Sequence, residues 1–173
     1  MTLTDGTVAG DPSVSPFDGR AARRPFLDKV HPGVYKAMGG VHTALAQAAK
    51  DAGVGADLIE LVNLRASQIN GCAYCLSTHA PKALKAGVTQ QQIDILPAWR
   101  DADLYSPEQR AALAVSEAVT RIVPDEEMEA LVLDAVEFLG EEKYGVLAWA
   151  ATVINAFNRM SIVSRYPVRK EQA

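Results

Sequence analysis

The chain has 173 residues and a formal net charge of −4 at pH 7, a length that suits one domain with a buried core. Mild acidity and an aromatic content of 6% argue against nucleic-acid binding, which normally needs clustered Lys and Arg and stacking platforms. The first 20 residues contain no apolar segment of the kind that a signal peptide needs, so we expect no signal peptide. The longest apolar run, 145–154, has about half the length of a membrane span. We therefore expect a cytoplasmic protein with no membrane or nucleic-acid partner.

Residues 1–24 are rich in Gly, Pro, Ser and Asp and show no periodicity, which predicts a flexible N-terminal arm. Residues 25–173 form the predicted single domain. Apolar residues recur there with helical spacing and never alternate long enough for a strand, so the predicted fold class is all-α. The predicted helices are 33–51, 56–70, 72–86, 89–99, 107–122, 125–139 and 141–164.

Local signals mark several helix boundaries. Two sequence pairs fit the capping box, in which the third residue of a helix bonds back to its cap. Gly87 and Gly140 stand where a left-handed C-terminal cap is wanted, and Pro97 is expected to end or kink its helix. The capping pairs are Thr89 with Gln92 and Ser106 with Gln109.

Both cysteines of the chain lie in one C-x-x-C motif, with a histidine four residues later. On a helix, Cys72, Cys75 and His79 stand at i, i+3 and i+7 and project within about 60° of one another. Asn70-Gly71 is a turn signal, so Cys72 is expected at a helix start, where free N–H groups and the helix dipole favour a thiolate. A pair of thiols and a base on one face indicate a redox centre.

The apolar segment before the motif carries a narrow polar stripe, Glu60, Asn63 and Ser67, that runs toward Cys72. A carboxylate on such a helix is costly unless it is paired, and His79 is a natural partner. The other interpretations of Glu60 are a partly exposed surface carboxylate or a partner of Arg65.

These residues allow peroxide chemistry. A thiolate that attacks a peroxide oxygen becomes a sulfenic acid, and a second thiol three residues away can condense with it to a disulfide. His79 would take the thiol proton and Glu60 would orient His79. Two other interpretations stay open: a zinc site built from the same four residues, and a pair of small buried cysteines with no chemistry.

Glu60, eleven intervening residues and Cys72-x-x-Cys75-x-x-x-His79 resemble the AhpD-like alkylhydroperoxidase core of the carboxymuconolactone decarboxylase superfamily. Further stretches of residues 30–165 are similar to the same family. The resemblance implies an all-helical fold of about six to seven helices that assembles as trimers or hexamers. It also implies an antioxidant peroxidase without a bound cofactor, which reduces a small hydroperoxide and is itself reduced by a dithiol, of the lipoyl type, on a partner protein.

In the family the second cysteine is taken as peroxidatic and the first as resolving, which carries over to Cys75 and Cys72, with His79 and Glu60 as the proton relay. Well-studied members have a histidine just before the second cysteine, where this chain has Tyr74. A phenol is a poor base near neutral pH, which weighs against efficient peroxidase turnover. Alternative functions are a thiol–disulfide oxidoreductase or redox sensor, a carboxymuconolactone-type decarboxylase, and a zinc-binding module.

Overall fold

The computed structural model describes residues 24–168, which are all-α and contain no strand. All seven predicted helices are present, and one short helix, α1, precedes them. The predicted arm, apart from residue 24, lies outside the described residues. The elements are α1 Leu27–Val30, α2 Pro32–Asp51, α3 Ala56–Asn70, α4 Ala73–Lys85, α5 Gln90–Ile95, a 3₁₀ helix Leu96–Asp101, α6 Pro107–Arg121, α7 Asp125–Leu139 and α8 Glu141–Ser164.

The helix boundaries follow the local signals, with one correction. Both capping boxes form, at the starts of α5 and α6. As expected from Pro97, the predicted helix 89–99 stops as an α-helix at Ile95 and continues as the 3₁₀ helix, whose first turn contains Pro97. The correction concerns Gly140. Gly140 is not a left-handed cap: its φ of 81° is positive, but its ψ of 156° is extended. It reverses the chain between α7 and α8, which begins at the next residue.

Helix α3 is the centre of the domain. It packs against α4, α6 and α8, and its residues from Leu61 to Ser67 are buried. One apolar cluster lies where α3, α6 and α8 meet, around Val62, Val115 and Leu147. A second cluster joins α3 to α4 and the 3₁₀ helix. Because α3 is covered on several sides, it is apolar on more than one face, as the sequence indicates.

Helix α8 is long and apolar enough to cross a membrane by length and composition, but half of its apolar window is buried inside the fold. It packs against α2, α3, α6 and α7, so its apolar residues serve as core. This agrees with the length of the apolar run 145–154, which at about half a membrane span predicts a buried helix and not an anchor. The cytoplasmic location stays a prediction.

The carboxylate of Glu117, on α6, joins three elements. Arg65 of α3 donates from Nε at 2.6 Å, Trp99 of the 3₁₀ helix donates from Nε1 at 3.1 Å, and Arg100 and Arg121 also bond to it. Burial raises the pKa of Glu117, but the hydrogen bonds from Arg100, Trp99 and Arg65 outweigh burial and lower this pKa to about 2. The ionised carboxylate is therefore part of the native packing.

Candidate active site

The two cysteines lie at a turn between α3 and α4. Gly71 ends α3 in the left-handed conformation, with φ 67° and ψ 33°, and the Cys72 N–H donates to the Ser67 carbonyl at 2.9 Å. Cys72 is the N-cap of α4, as expected, and its Sγ accepts from the Cys75 N–H at 3.3 Å. The two sulfurs form a disulfide with Cα atoms 5.3 Å apart. The pair can therefore be oxidised without rearrangement of the backbone.

The predicted pairing of Glu60 with His79 is present. Glu60 Oε2 lies 2.6 Å from His79 Nδ1, and both side chains are largely buried. Arg65, the alternative partner, bonds to Glu117 instead. A carboxylate at Nδ1 favours the tautomer that carries its proton there, which leaves Nε2 with the lone pair that accepts a proton.

A cavity of about 220 Å³ opens beside Cys75. Cys75 and His79 line it, whereas Cys72 and Glu60 do not. Cys72 is 1% exposed and lies behind Cys75. Of the two cysteines, Cys75 is therefore the one that lines the space that a small substrate would fill. The cavity also has an aromatic and aliphatic wall, formed by Tyr35, Ile59, Tyr74, Phe157, Met160 and Tyr166.

The polar stripe on α3 divides among three environments. Glu60 bonds to His79, Asn63 lines the cavity, and Ser67 accepts a hydrogen bond from Asn158 of α8 at 3.0 Å. Only the first of these contacts was expected from the sequence. The stripe is thus polar because each residue meets a different polar partner or the cavity.

Three asparagines anchor the turn that carries the cysteines. The Asn70 amide donates to the Oδ1 atoms of Asn155 and Asn158, each at 2.8 Å. Asn155 also donates to Thr120 at 2.9 Å. Asn155 and Asn158 therefore hold the end of α3 and do not line the cavity. The sequence alone favours equally a place in the site and a role in holding the chain terminus for these two residues.

Several cavity residues were missed or assigned another role from the sequence. The helical spacing of Trp149, Phe157 and Met160 predicts core or subunit contacts, but Phe157 and Met160 line the cavity and Trp149 lines a separate groove. Tyr166 carried no signal, because it meets α4 only through tertiary folding. Lys82 did carry one, since it lies seven residues after Cys75 and so on the same helix face. His42 has no matching acid or thiol nearby in the sequence, which predicts a residue on a helix face without a role, but it is exposed at the cavity rim.

Tyr74, at the position of the family's histidine, belongs to the cavity wall. Its ring packs edge-on against Tyr166 with centroids 5.3 Å apart. The Tyr166 hydroxyl bonds to Asp28, and burial together with this bond raises the pKa of Tyr166 to about 12. Both rings thus shape the cavity, and Tyr166 stays a neutral phenol near pH 7.

The zinc alternative gains no geometric support. Within residues 24–168, no group of three His, Cys, Asp or Glu side chains is arranged to hold a metal ion. The two sulfurs bond to each other, and the Glu60 carboxylate faces His79.

The sequence profile of the carboxymuconolactone decarboxylase family matches residues 32–118, from the start of α2 into α6. The matched segment contains the whole Glu60, Cys72, Cys75 and His79 constellation. The chain belongs to the carboxymuconolactone decarboxylase family. The uncharacterized protein YdfG of Bacillus subtilis (strain 168) is 45% identical over 107 residues, which are 60% of this chain and 70% of YdfG.

Solved structures share this family fold. ATU0492 of Agrobacterium tumefaciens, a protein of unknown function provisionally named as the antioxidant defence protein AhpD, superposes with a TM-score of 0.71 at 30% identity. The match covers 86% of this chain and 99% of ATU0492. The debrominase Bmp8 superposes with a TM-score of 0.65 at 20% identity, over 82% of this chain and 74% of Bmp8. The AhpD-like all-α fold predicted from the sequence is thus confirmed.

Proposed function

We propose that this member of the carboxymuconolactone decarboxylase family reduces small organic hydroperoxides with electrons from a dithiol. The observation that carries the proposal is that Cys75 and His79 face one cavity, while Glu60 holds the far nitrogen of His79 and Cys72 stands behind Cys75 within bonding distance. These four residues supply an attacking thiol, a base, an orienting carboxylate and a resolving thiol.

The oxidative half of the proposed cycle balances as follows. His79 Nε2 takes the Cys75 thiol proton, and the thiolate attacks the terminal oxygen of the hydroperoxide. The O–O bond breaks, the sulfur loses two electrons and becomes a sulfenic acid, and the alkoxide takes the proton from His79 to leave as an alcohol. The Cys72 thiol then attacks the Cys75 sulfur, releasing water and forming the disulfide.

The reductive half requires an external dithiol, for which we propose a lipoyl-type group on a partner protein. One of its thiolates attacks Cys75 Sγ, the sulfur on the cavity side, and Cys72 leaves as a thiolate. The second thiol of the reductant then releases Cys75 and closes the reductant's own disulfide. Two electrons and two protons pass to the protein, which regains both thiols with no bound cofactor.

The name given to ATU0492 supports an antioxidant role, and Tyr74 bears on its efficiency. A tyrosine ring at the cavity wall adds apolar contact to an organic substrate but supplies no base near pH 7. We therefore expect organic hydroperoxides to be preferred over hydrogen peroxide, with His79 as the base at Cys75.

The test is hydroperoxide consumption with dihydrolipoamide by the wild type, Cys75→Ser, Cys72→Ser and the control Ser77→Ala. Ser77 lies on the same helix, does not line the cavity, and its hydroxyl donates to the Tyr74 carbonyl at 2.8 Å. We expect turnover by the wild type and the control, none by Cys75→Ser, and a sulfenic acid on Cys75 in Cys72→Ser that dimedone traps. The assignment of roles is wrong if Cys75→Ser keeps full activity.

The same preparation separates the other functions. A disulfide that forms with peroxide but never turns over with any dithiol indicates a redox sensor. Exchange with disulfide substrates but not with peroxides indicates a thiol–disulfide oxidoreductase. Stoichiometric zinc in the purified protein, or carbon dioxide release from a muconolactone-type substrate, would each replace the peroxidase proposal.

A further inference from the structure

The cavity beside Cys75 has an apolar wall and a charged rim. Its volume of about 220 Å³ is below the roughly 300–1,000 Å³ of pockets that hold drug-sized ligands. The rings of Tyr35, Phe157 and Tyr166 form part of its wall and make that wall largely apolar. Such a cavity fits a small organic molecule that carries one aromatic ring or a short aliphatic chain.

Lys82 supplies a cationic side chain at the rim of the cavity. Lys82 of α4 and His42 of α2 both line the mouth and are exposed. Across residues 24–168, no carboxylate lies within ion-pair distance of either. Two acids close to the cavity have other partners: Glu60 bonds to His79, and Asp28 bonds to Tyr166 and Lys29. The rim therefore attracts an anion.

Helix geometry sets the distance between the two ends of a bound molecule. Lys82 follows Cys75 by seven residues, which places it about 10 Å further along α4 and about 20° away around the axis. Cys75 and His79 lie at the inner part of this stripe and Lys82 at the outer part. The stem of Lys82 can follow the apolar wall while its ammonium stays in water.

We propose that the preferred substrates are hydroperoxides that carry a carboxylate about 8–12 Å from the peroxide group, and that Lys82 binds this carboxylate. The inference rests on the proposed peroxidase function and adds a substrate class and a specificity residue. The peroxide end lies at Cys75 and is reduced to the alcohol as above. The carboxylate is unchanged, and only its ion pair with Lys82 forms and breaks.

The test compares two probes that differ by one charge, cumene hydroperoxide and its para-carboxylate. For the wild type we expect kcat/KM to be roughly two- to fivefold higher for the carboxylate, the range of an exposed ion pair. High salt should remove the preference because it screens such pairs. Lys82→Met, which keeps the apolar stem, should bring the ratio to about one, and Lys82→Glu should invert it.

Lys85→Met is the matched control, since Lys85 is an exposed lysine of the same helix that does not line the cavity. It should keep the wild-type ratio. A wild type without preference, or a Lys82→Met variant with an unchanged preference, overturns the inference.

Binding of unreactive 4-isopropylbenzoate to the reduced protein, followed by NMR, separates this inference from the function on which it rests. A protein that consumes neither probe but binds the carboxylate through Lys82 refutes the peroxidase function and keeps the anion site. A protein that consumes both probes equally and binds no carboxylate refutes the substrate class and keeps the function.

Discussion

The carboxylate of Glu60 orients His79, since its Oε2 lies 2.6 Å from His79 Nδ1. Glu60→Gln keeps the shape and an acceptor oxygen but removes the charge that stabilises a protonated imidazole. We expect kcat for peroxide consumption to fall roughly 100-fold, the lower range for a lost acid–base contribution, with little change in KM. Stopped-flow kinetics measures both constants.

The control for this variant is Glu137→Gln, which removes an exposed carboxylate from α7. It should leave kcat unchanged. A Glu60→Gln protein with the same native near-UV circular dichroism and wild-type kcat would show that His79 acts without an orienting carboxylate.

Ile122 is held in an unfavourable backbone conformation. It follows α6 with a φ of 53°, a region that β-branched residues rarely adopt, and its side chain is 77% exposed. Ile122→Gly should therefore raise the free energy of unfolding by about 1 kcal/mol, since glycine relieves the strain and little packing is lost. Urea denaturation measures this, with Ile122→Val, which keeps the β-branch, as the unchanged control. A less stable Ile122→Gly protein would contradict the argument.

The ion pairs of Glu117 act at the level of helix packing, because they join α3, the 3₁₀ helix and α6. The folded-state pKa of about 2 lies below the ordinary value of 4.5, so the stabilisation is complete above pH 4.5 and is lost as the pH falls toward 2. At 1.36 kcal/mol per pKa unit, the contribution of Glu117 to the free energy of unfolding is on the order of 3 kcal/mol. The free energy of unfolding should decline through this window in urea titrations.

Replacement of Glu117 gives the matched comparison. Glu117→Gln leaves Arg65 buried without its counter-charge, which should cost about 3–5 kcal/mol at pH 7 and much less at pH 2. Glu108→Gln, on the same helix, breaks a partly exposed pair with Lys143 and should cost at most about 1 kcal/mol. Equal losses for the two variants would show that burial of the Glu117 pairs adds nothing.

The helices were predictable where the signals are local. Each capping box, at Thr89 and at Ser106, is defined by four consecutive residues of the sequence, and both form in the structure. A left-handed cap at Gly140 requires a positive φ, which is found, and a ψ in the left-handed region, which is not. The ψ angle differs because α8 begins directly after Gly140 and the chain must leave α7 in that direction. The break in 89–99 was predictable from Pro97, and the α-helix does end just before it, at Ile95.

The site was predictable where its residues share one helix or one polar stripe. Cys72, Cys75 and His79 are fixed by helical periodicity, and Glu60 by the cost of an unpaired carboxylate. The cavity was not predictable, because Tyr35, Phe157 and Tyr166 reach it from α2, α8 and the segment after α8. Nothing in their local sequence distinguishes a cavity wall from a core contact, since both require apolar side chains at helical spacing.

The apolar surface of the whole molecule bears on its assembly. Helix α2 has 20 residues but buries only Ala49, and it leaves Val34, Tyr35 and Val41 exposed. A groove of about 720 Å³ lies between α2 and α8, and Trp149, which is 61% exposed, lines it. Apolar patches of this kind usually mark contacts with other chains. The trimer or hexamer that the family resemblance implies stays a prediction, and the groove between α2 and α8 is the surface on which to test it.

We expect light scattering after size-exclusion chromatography to give an oligomeric mass for the wild type and a smaller mass for Val41→Asp and Trp149→Asp. A carboxylate placed in an apolar contact loses its water without gaining a partner, and this cost weakens association but not the fold. Leu133→Asp is the control, since Leu133 is equally exposed but lies on α7, away from the groove. A monomeric wild type would refute the assembly, and an oligomer dissociated only by Leu133→Asp would move the contact to α7.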